Sequence, residues 1–389
     1  MDSRLTPSPE DTAALRGLKH AIGWCDLTFN YGIYGCQMVS PACGTSDGSS
    51  MCYASKTAER LTAFAHGGGP YAGLVEDGRW TGEVRVDPDR ISAAFATLPK
   101  RPRRDGRPWR VFGSMFDLFH KDVPFEFIAI VYGAMAARPW INFQILTKRA
   151  DRMAEFYRWL GRNGQDEWET VINAADAHDG DGHEPALLGG GLYVGQWPIP
   201  NIWAGVTVED QRRADERVPW LLQVPAAVRF LSVEPMLGAI DLSEWTERID
   251  FCNDCGAENE AQGPDKCPAC GASGTLISTW GHAQADRYRT GERYDENSVE
   301  GRADVAGTAR TIDWVIVGSE SDGPRPGARE TRDEWVIDLV GQCDAASVPV
   351  FFKQLAIGGR LCSLPMLDRR VRAEFPESAG AGGVSGGGP

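Results

Sequence analysis

The stretch Ile202-Trp-Ala-Gly-Val-Thr-Val208 decides the fold class of this chain. It is almost entirely apolar and predicts a buried strand. Residues 210–222 predict a helix directly after it, and Val228-Arg-Phe-Leu-Ser-Val-Glu-Pro235 predicts another buried strand. A buried strand, a helix and a second buried strand form the unit from which parallel sheets are built. The sequence therefore predicts an α/β protein with a parallel sheet.

The same alternation continues in both directions from this unit. Five further strands are predicted at 22–29, 111–117, 142–148, 314–320 and 350–354, and further helices at 51–64, 125–137, 150–160 and 334–346. Seven strands indicate a partial or full βα barrel, in which chemistry takes place at the carboxyl ends of the strands. The barrel is expected to occupy 18–245 and 312–365, with a polar, Gly-rich insertion at 163–199 and disordered tails at 1–17 and 376–389.

Composition limits the classes of function. Forty basic and fifty-four acidic residues give a net charge of −14, so any nucleic-acid contact needs a local basic patch. An apolar content of 42% excludes a wholly disordered chain. No apolar run is long enough to span a membrane, and the first residues lack the apolar core of a signal peptide. We therefore expect a cytoplasmic protein with no membrane partner.

Four of the ten cysteines form a C-x2-C-x11-C-x2-C pattern. They are Cys252, Cys255, Cys267 and Cys270. Two C-x2-C turns can direct four thiolates at one ion, which leaves no open position and is typical of structural zinc. The polar residues 256–266 could not build a core without the metal. The pattern predicts a zinc ribbon at 250–275, inserted between two strands of the barrel.

A second group, Cys36, Cys43 and Cys52, has the spacing C-x6-C-x8-C and follows the first predicted strand. Three thiolates leave one metal position open, as a catalytic centre or an iron–sulfur site requires. The spacing alone is not specific, and the alternative is three buried or incidental thiols.

Polar side chains end every predicted strand. In a parallel barrel they would converge on one mouth, where they could hold a ligand or only form stabilising salt bridges with each other. The residues are Asp26, Ser114, Asp117, Thr147, Lys148, Arg149, Thr207, Glu209, Ser232, Glu234, Ser319, Glu320, Lys353 and Gln354.

Several motifs are distributed over roughly residues 20–360. They are Trp24-Cys-Asp26, Cys36-x6-Cys43, Cys52-Tyr-Ala54, Gly113-Ser-Met-Phe-Asp-Leu-Phe-His120, Gln144-Ile-Leu-Thr-Lys-Arg149, Asn201-Ile-Trp-Ala-Gly-Val-Thr-Val-Glu-Asp-Gln211, Arg229-Phe-Leu-Ser-Val-Glu-Pro235, Asp313-Trp-Val-Ile-Val-Gly-Ser-Glu320 and Phe351-Phe-Lys-Gln354. Together these motifs resemble a known family, the phage-associated gp thirty-seven/sixty-eight proteins, which have radical-SAM-like features and no established function.

The resemblance implies a radical-SAM-like enzyme that also needs an electron donor. Cys36, Cys43 and Cys52 would hold a [4Fe–4S] cluster, whose fourth iron binds S-adenosylmethionine through its amino and carboxylate groups. Reductive cleavage would give a 5′-deoxyadenosyl radical that removes hydrogen from an unknown substrate, with a nucleobase or nucleic acid as one candidate. The cofactor would be held by strand-end residues, namely Asp26, Ser114, Asp117, Lys148, Arg149, Glu209, Glu234, Glu320 and Lys353.

Within that set, Glu234 or Asp117 is expected to bind the amino group, and Lys148 or Arg149 the carboxylate. The loop departs from the family's C-x6-C-x2-C spacing by six extra residues within 44–51. Their Gly and Ser content would let the loop bulge and return Cys52 to the cluster; the alternative is a displaced Cys43.

Two other functions remain open. The first is a zinc-containing nucleic-acid-binding protein without radical chemistry, in which Trp109 could stack on a base unless the segment is only a solvated linker. The second, a βα-barrel hydrolase with a non-iron metal, is disfavoured because the six histidines show no ligand spacing. The basic residues of the first alternative are Lys100, Arg101, Arg103, Arg104, Arg107 and Arg110.

Overall fold

The computed structural model describes residues 4–7, 22–44, 52–162, 166–179, 197–246, 248–252, 258–260, 276–280, 312–320 and 329–376. Its centre is an eight-stranded sheet with the order β8-β7-β6-β5-β4-β3-β2-β1. The strands are β1 (Leu27–Phe29), β2 (Trp109–Gly113), β3 (Ile141–Thr147), β4 (Ile202–Thr207), β5 (Val228–Val233), β6 (Trp314–Gly318), β7 (Val350–Ile357) and β8 (Arg360–Ser363).

Strands β1 to β7 are parallel, and β8 is antiparallel to β7. The sheet curls into a half-barrel. The prediction of a mixed α/β chain with a partial parallel barrel is therefore confirmed, and each of the seven predicted strands overlaps one of β1 to β7.

The helices of the described chain lie mainly in the crossovers between parallel strands. They are α1 (Tyr53–Phe64), α2 (Arg90–Ala96), α3 (Phe125–Ala136), α4 (Ala150–Leu160), α5 (Glu167–Asp179), α6 (Gln211–Leu221), α7 (Ser243–Thr246) and α8 (Asp333–Ala345), with a 3₁₀ turn at Pro41–Cys43. No helix among the described residues is long and apolar enough to cross a membrane.

Short strands complete the architecture. A separate antiparallel sheet contains Arg248–Cys252 between Glu258–Glu260 and Leu276–Trp280. The other short strands are Leu5–Thr6, Ile33–Tyr34, Val75–Glu76, Arg79–Trp80, Arg85–Val86, Met366–Leu367 and Arg370–Val371.

Helix α5 lies within the predicted polar insertion at 163–199, where the sequence analysis placed no helix. Its apolar residues Trp168, Val171 and Ala175 are buried in the main core, although polar residues surround them in the sequence. The contact with α3 depends on Gly133, because a Cβ there would overlap the backbone of Val171.

The prediction of a disordered tail at 1–17 is wrong at Leu5. Leu5, placed in a disordered tail, is buried and pairs with Leu367 in an antiparallel ladder. Ordered chain continues past 365, where the ring of Phe375 packs on Trp314 at a centroid distance of 5.3 Å. Most of both tails lies outside the described residues.

Alternation along the strands gives the sheet two different faces. On β6, Val315 and Val317 belong to the main core, while Trp314 and Ile316 belong to a second cluster. That second cluster lines the inside of the half-barrel. We call its rings the aromatic floor, which consists of Trp24, Phe112, Trp203, Phe230, Trp314 and Phe351.

Gly205 makes room in the aromatic floor. A Cβ at this position on β4 would overlap the ring of Phe230 on β5. The floor therefore packs tightly inside the half-barrel, and two of its residues, Trp24 and Phe112, border the cavity at the strand ends.

Candidate functional site

A cavity of about 440 Å³ opens at the carboxyl ends of the strands. A smaller cavity of about 150 Å³ adjoins it and shares Cys43, Cys52, Tyr53, Lys148 and Thr207 with it. The strand-end residues that line the larger cavity are Lys148, Thr207, Ser232, Glu234, Ser319, Glu320, Lys353 and Gln354. The expected convergence of strand-end side chains on one mouth is therefore confirmed for these residues.

The cysteine loop reaches this mouth through turns that glycine permits. Gly32 and Gly35 have φ of +98° and +97°, and a Cβ at Gly35 would overlap the carbonyl oxygen of Glu83. After these turns, Cys36 and Cys43 line the smaller cavity together with Cys52, which precedes α1. The three cysteines predicted as cluster ligands thus face one space.

The spacing of these thiols does not suit a single ion. Among the described residues, no group of three His, Cys, Asp or Glu side chains is close enough to hold one metal ion. A [4Fe–4S] cluster makes a different demand, because each cysteine binds its own iron and the sulfurs stay further apart. The donor chemistry, three thiols around a cavity, fits a cluster.

The three thiols lie in different electrostatic surroundings. Burial raises the pKa of Cys36 to about 12, and the negative charges of Asp117, Cys52 and Cys43 act in the same direction. Burial acts likewise on Cys43, but the charge of Lys148 and hydrogen bonds from the loop bring its pKa below the usual value. Cys43 is therefore the more reactive thiol of the two in the metal-free chain.

Asp117 is fully engaged within the protein. Its carboxylate accepts hydrogen bonds from Phe119 N at 3.0 Å and from Thr147 Oγ1 at 2.7 Å, and it pairs with Arg149. The guanidinium of Arg149 also lies near Cys36, because each shifts the pKa of the other. Asp117 thus positions Arg149 and has little capacity left for a ligand.

Glu234 is less fully hydrogen-bonded than Asp117. Its Oε1 lies 3.0 Å from Lys353 Nζ, yet this oxygen is buried and makes no hydrogen bond of good geometry. Ser232 Oγ donates to Oε2 at 3.2 Å. A Cβ at Gly318 would come within 2.7 Å of Oε1, so the glycine leaves the space that the carboxylate occupies. Ser319 Oγ, nearby on the cavity wall, is also buried without a partner.

Lys148 differs from Arg149 and Lys353, which pair with Asp117 and Glu234. Across the described part of the chain, no carboxylate lies within 4 Å of its Nζ. Its charge acts on Cys43, so the ammonium group lies on the cysteine side of the cavity.

Arg329 is a site residue that the sequence analysis missed. Its Nε donates to Glu320 Oε1 at 2.7 Å, and its Nη1 donates to the carbonyl oxygens of Pro41 at 2.6 Å and Gly44 at 3.3 Å. It therefore ties the backbone around Cys43 to the end of β6. No strand-end pattern marks Arg329, because it follows a stretch of irregular sequence.

Two predicted mouth residues lie elsewhere. Asp26 precedes β1, at the amino edge of the sheet, where it pairs with Arg103 and Arg110; its placement at the mouth is wrong. Glu209 follows β4 but is fully buried against Arg217 at 2.8 Å and does not line the cavity. Ser114 does line the smaller cavity.

The basic segment also lies at the amino end of β2. Arg103 and Arg110 pair with Asp26, and Arg107 pairs with Asp105 at 2.7 Å. The guanidinium of Arg103 lies 5.4 Å from the ring of Trp109. Lys100, Arg101 and Arg104 stay exposed, on the opposite edge of the sheet from the cavity.

The zinc-ribbon prediction cannot be placed in the same way. Cys252 ends the strand Arg248–Cys252, while Cys255, Cys267 and Cys270 lie outside the described residues. Structural zinc at this position stays a prediction.

Comparison with known proteins gives a family but no activity. Residues 19–363 match the family described as protein of unknown function (DUF5131). No curated protein and no solved structure matches the chain. The match covers most of the chain, including the sheet and the cavity. The chain therefore belongs to the DUF5131 family of proteins of unknown function.

Proposed function

We propose that this protein is a radical S-adenosylmethionine-type iron–sulfur enzyme of the phage-associated family that its motifs resemble. The observation that carries the proposal is that three cysteines and charges of both signs face one cavity above the strand ends. The cluster, once reduced by an external electron donor, supplies cleavage of the sulfonium and a 5′-deoxyadenosyl radical that removes hydrogen from a substrate.

The three cysteines would each bind one iron of the cluster. Cys36 follows the short strand Ile33–Tyr34, Cys43 ends the 3₁₀ turn, and Cys52 directly precedes α1. Cationic Lys148 and Arg149 favour the thiolate forms that iron binds. Arg329 holds the loop backbone at Pro41 and Gly44, so that Cys43 keeps its place despite the extended spacing.

The amino-acid part of S-adenosylmethionine needs a carboxylate and a cation. Glu234 is the better partner for the ammonium group, because its carboxylate holds one hydrogen bond from Ser232 and one ion pair with Lys353, whereas Asp117 already accepts three hydrogen bonds. Lys148 is the better partner for the ligand carboxylate, since no carboxylate among the described residues pairs with it. These residues bind and orient the ligand.

The aromatic floor would protect the chemistry. Trp24 and Phe112 belong to the floor and also line the larger cavity, so its base is apolar and closed. A closed, apolar base excludes water from the reacting groups.

Anaerobic reconstitution with iron and sulfide tests the proposal. We expect a brown protein that absorbs light at about 400 nm, as clusters bound by thiolates do. Changing Cys36, Cys43 and Cys52 to Ala should abolish iron binding, while Cys362→Ala, a free cysteine on β8, should leave it intact. Iron retained at the wild-type level in the triple variant would refute the assignment.

A further inference from the structure

Helix α1 presents an unusual exposed face beside the cavity. Phe64 is 83% exposed and Tyr53 is 48% exposed, and both rings lie on this helix. With about 100° between successive residues, Tyr53, Arg60 and Phe64 fall within about 40° of one another around the helix axis. We call these three residues, with Lys56 and Leu61, the α1 face.

The α1 face begins at the site. Tyr53 lines both cavities, directly after Cys52. Phe64 lies eleven residues further on, about 16 Å along the axis at 1.5 Å per residue. Arg60 lies between the rings, and no carboxylate of the described chain pairs with it. The face is therefore a line of ring, cation and ring that starts at the mouth.

The charge of this face is opposite to that of the whole protein. Glu59, the one acidic residue of α1, is turned away from the face, and its Oε1 accepts a hydrogen bond from Gly78 N at 3.1 Å. Lys56 is half-buried and already makes an interaction, so Arg60 is the cation of the face on which the argument rests. In a chain of net charge −14, an exposed guanidinium between two exposed rings favours a polyanion with stackable bases over an acidic protein surface.

We infer that the α1 face binds single-stranded nucleic acid and leads one base past Tyr53 into the cavity. The rings of Tyr53 and Phe64 stack on bases, and Arg60 binds the backbone between them. The basic segment at Lys100–Arg110 is less suited to this role, because Arg103 covers the ring of Trp109 and Trp109 Nε1 already donates to Arg101 O at 3.0 Å. As a choice of substrate class, the inference rests on the proposed function.

The test measures binding by fluorescence anisotropy of a labelled oligothymidylate of about twelve nucleotides, a length that covers typical single-strand sites. We expect Phe64→Ala and Arg60→Ala each to weaken binding about fivefold or more. Arg60→Ala should also reduce the slope of log affinity against log salt by about 1, whereas Phe64→Ala should leave it unchanged. The double variant Arg101→Ala/Arg104→Ala is the matched control and should bind as the wild type does.

Absent binding, or equal losses in the control, would overturn the inference. So would variants that bind oligonucleotide normally but slow reduction of the cluster by a small acidic flavoprotein, because the face would then dock an electron donor. Iron content, measured on the same samples, separates the two proposals. Full iron without oligonucleotide binding refutes only the nucleic-acid inference, and binding by a protein that cannot hold iron refutes only the radical chemistry.

Discussion

Arg329 Nη1 donates a 2.6 Å hydrogen bond to the carbonyl oxygen of Pro41, which lies 288 residues earlier in the chain. The same guanidinium pairs with Glu320 at the end of β6. This clamp connects the first and sixth crossovers of the half-barrel across its mouth. It gives the long cysteine loop a fixed attachment next to Cys43.

Removing the clamp should loosen the loop. We expect Arg329→Met to leave the fold intact but to shorten the lifetime of the reconstituted cluster in air severalfold, because Pro41 and Gly44 lose their donor and Glu320 loses its cation. The decay of the absorbance at about 400 nm measures this lifetime. Arg332→Met is the control, since Arg332 is exposed and pairs only weakly with Glu334 at 3.8 Å. Equal lifetimes in both variants would exclude a role for the clamp.

Gly318 offers a test of Glu234. A Cβ added there would lie 2.7 Å from Glu234 Oε1 and push the carboxylate aside. We expect Gly318→Ala to weaken S-adenosylmethionine binding about tenfold, equivalent to about 1.4 kcal/mol. Gly341→Ala in α8 is the control, because a Cβ there meets no atom within 4 Å. Calorimetric titration compares them, and unchanged affinity in Gly318→Ala would remove Glu234 from the binding site.

The cysteine pKa values predict a reactivity order in the metal-free protein. The thiolate is the nucleophile, so Cys43, whose pKa is lowered, should react with iodoacetamide at neutral pH well over tenfold faster than Cys36, whose pKa is raised to about 12. Lys148→Met removes the cation beside Cys43 and should slow its alkylation severalfold. Lys121→Met, a distant exposed lysine paired with Asp122, should not. Peptide mass spectrometry follows each site, and faster alkylation of Cys36 would contradict the electrostatic account.

The zinc-ribbon prediction can be tested separately from the cluster. Four thiolates without a vacant position hold the metal only as a set, so Cys255→Ser should lose zinc and make the insert sensitive to protease. The main core contains no residue of the insert among its described members, so the half-barrel should keep its melting temperature within a few degrees. Zinc content unchanged in this variant would show that the four cysteines are not the site.

The sheet could be predicted from the sequence because its central strands, β3 to β6, are buried on both faces and appear in the sequence as short apolar runs. Helix α5 could not, since its buried Trp168 and Val171 are isolated among polar residues and gain their partners mainly from α3. The convergence of Lys148, Glu234 and Glu320 followed from the topology alone. The pairing of those residues did not, because no sequence pattern marks Arg329 as the partner of Glu320.

Asp26 shows the limit of reasoning from motif position. It lies close to the cysteine loop in sequence, but β1 starts at Leu27, so the carboxylate belongs to the amino edge. To assign such a side chain to the amino or the carboxyl edge of the sheet, the strand boundary must be known to within about two residues. Strand boundaries are the least certain feature of a sequence pattern.

Reductive cleavage of S-adenosylmethionine is the most direct test of the proposed chemistry. The reconstituted protein is incubated anaerobically with S-adenosylmethionine and dithionite, and 5′-deoxyadenosine is quantified by chromatography. The account predicts 5′-deoxyadenosine from the wild type and from Cys362→Ala, and none from Cys36→Ala. Wild-type protein that carries its full iron content and forms no 5′-deoxyadenosine would contradict it.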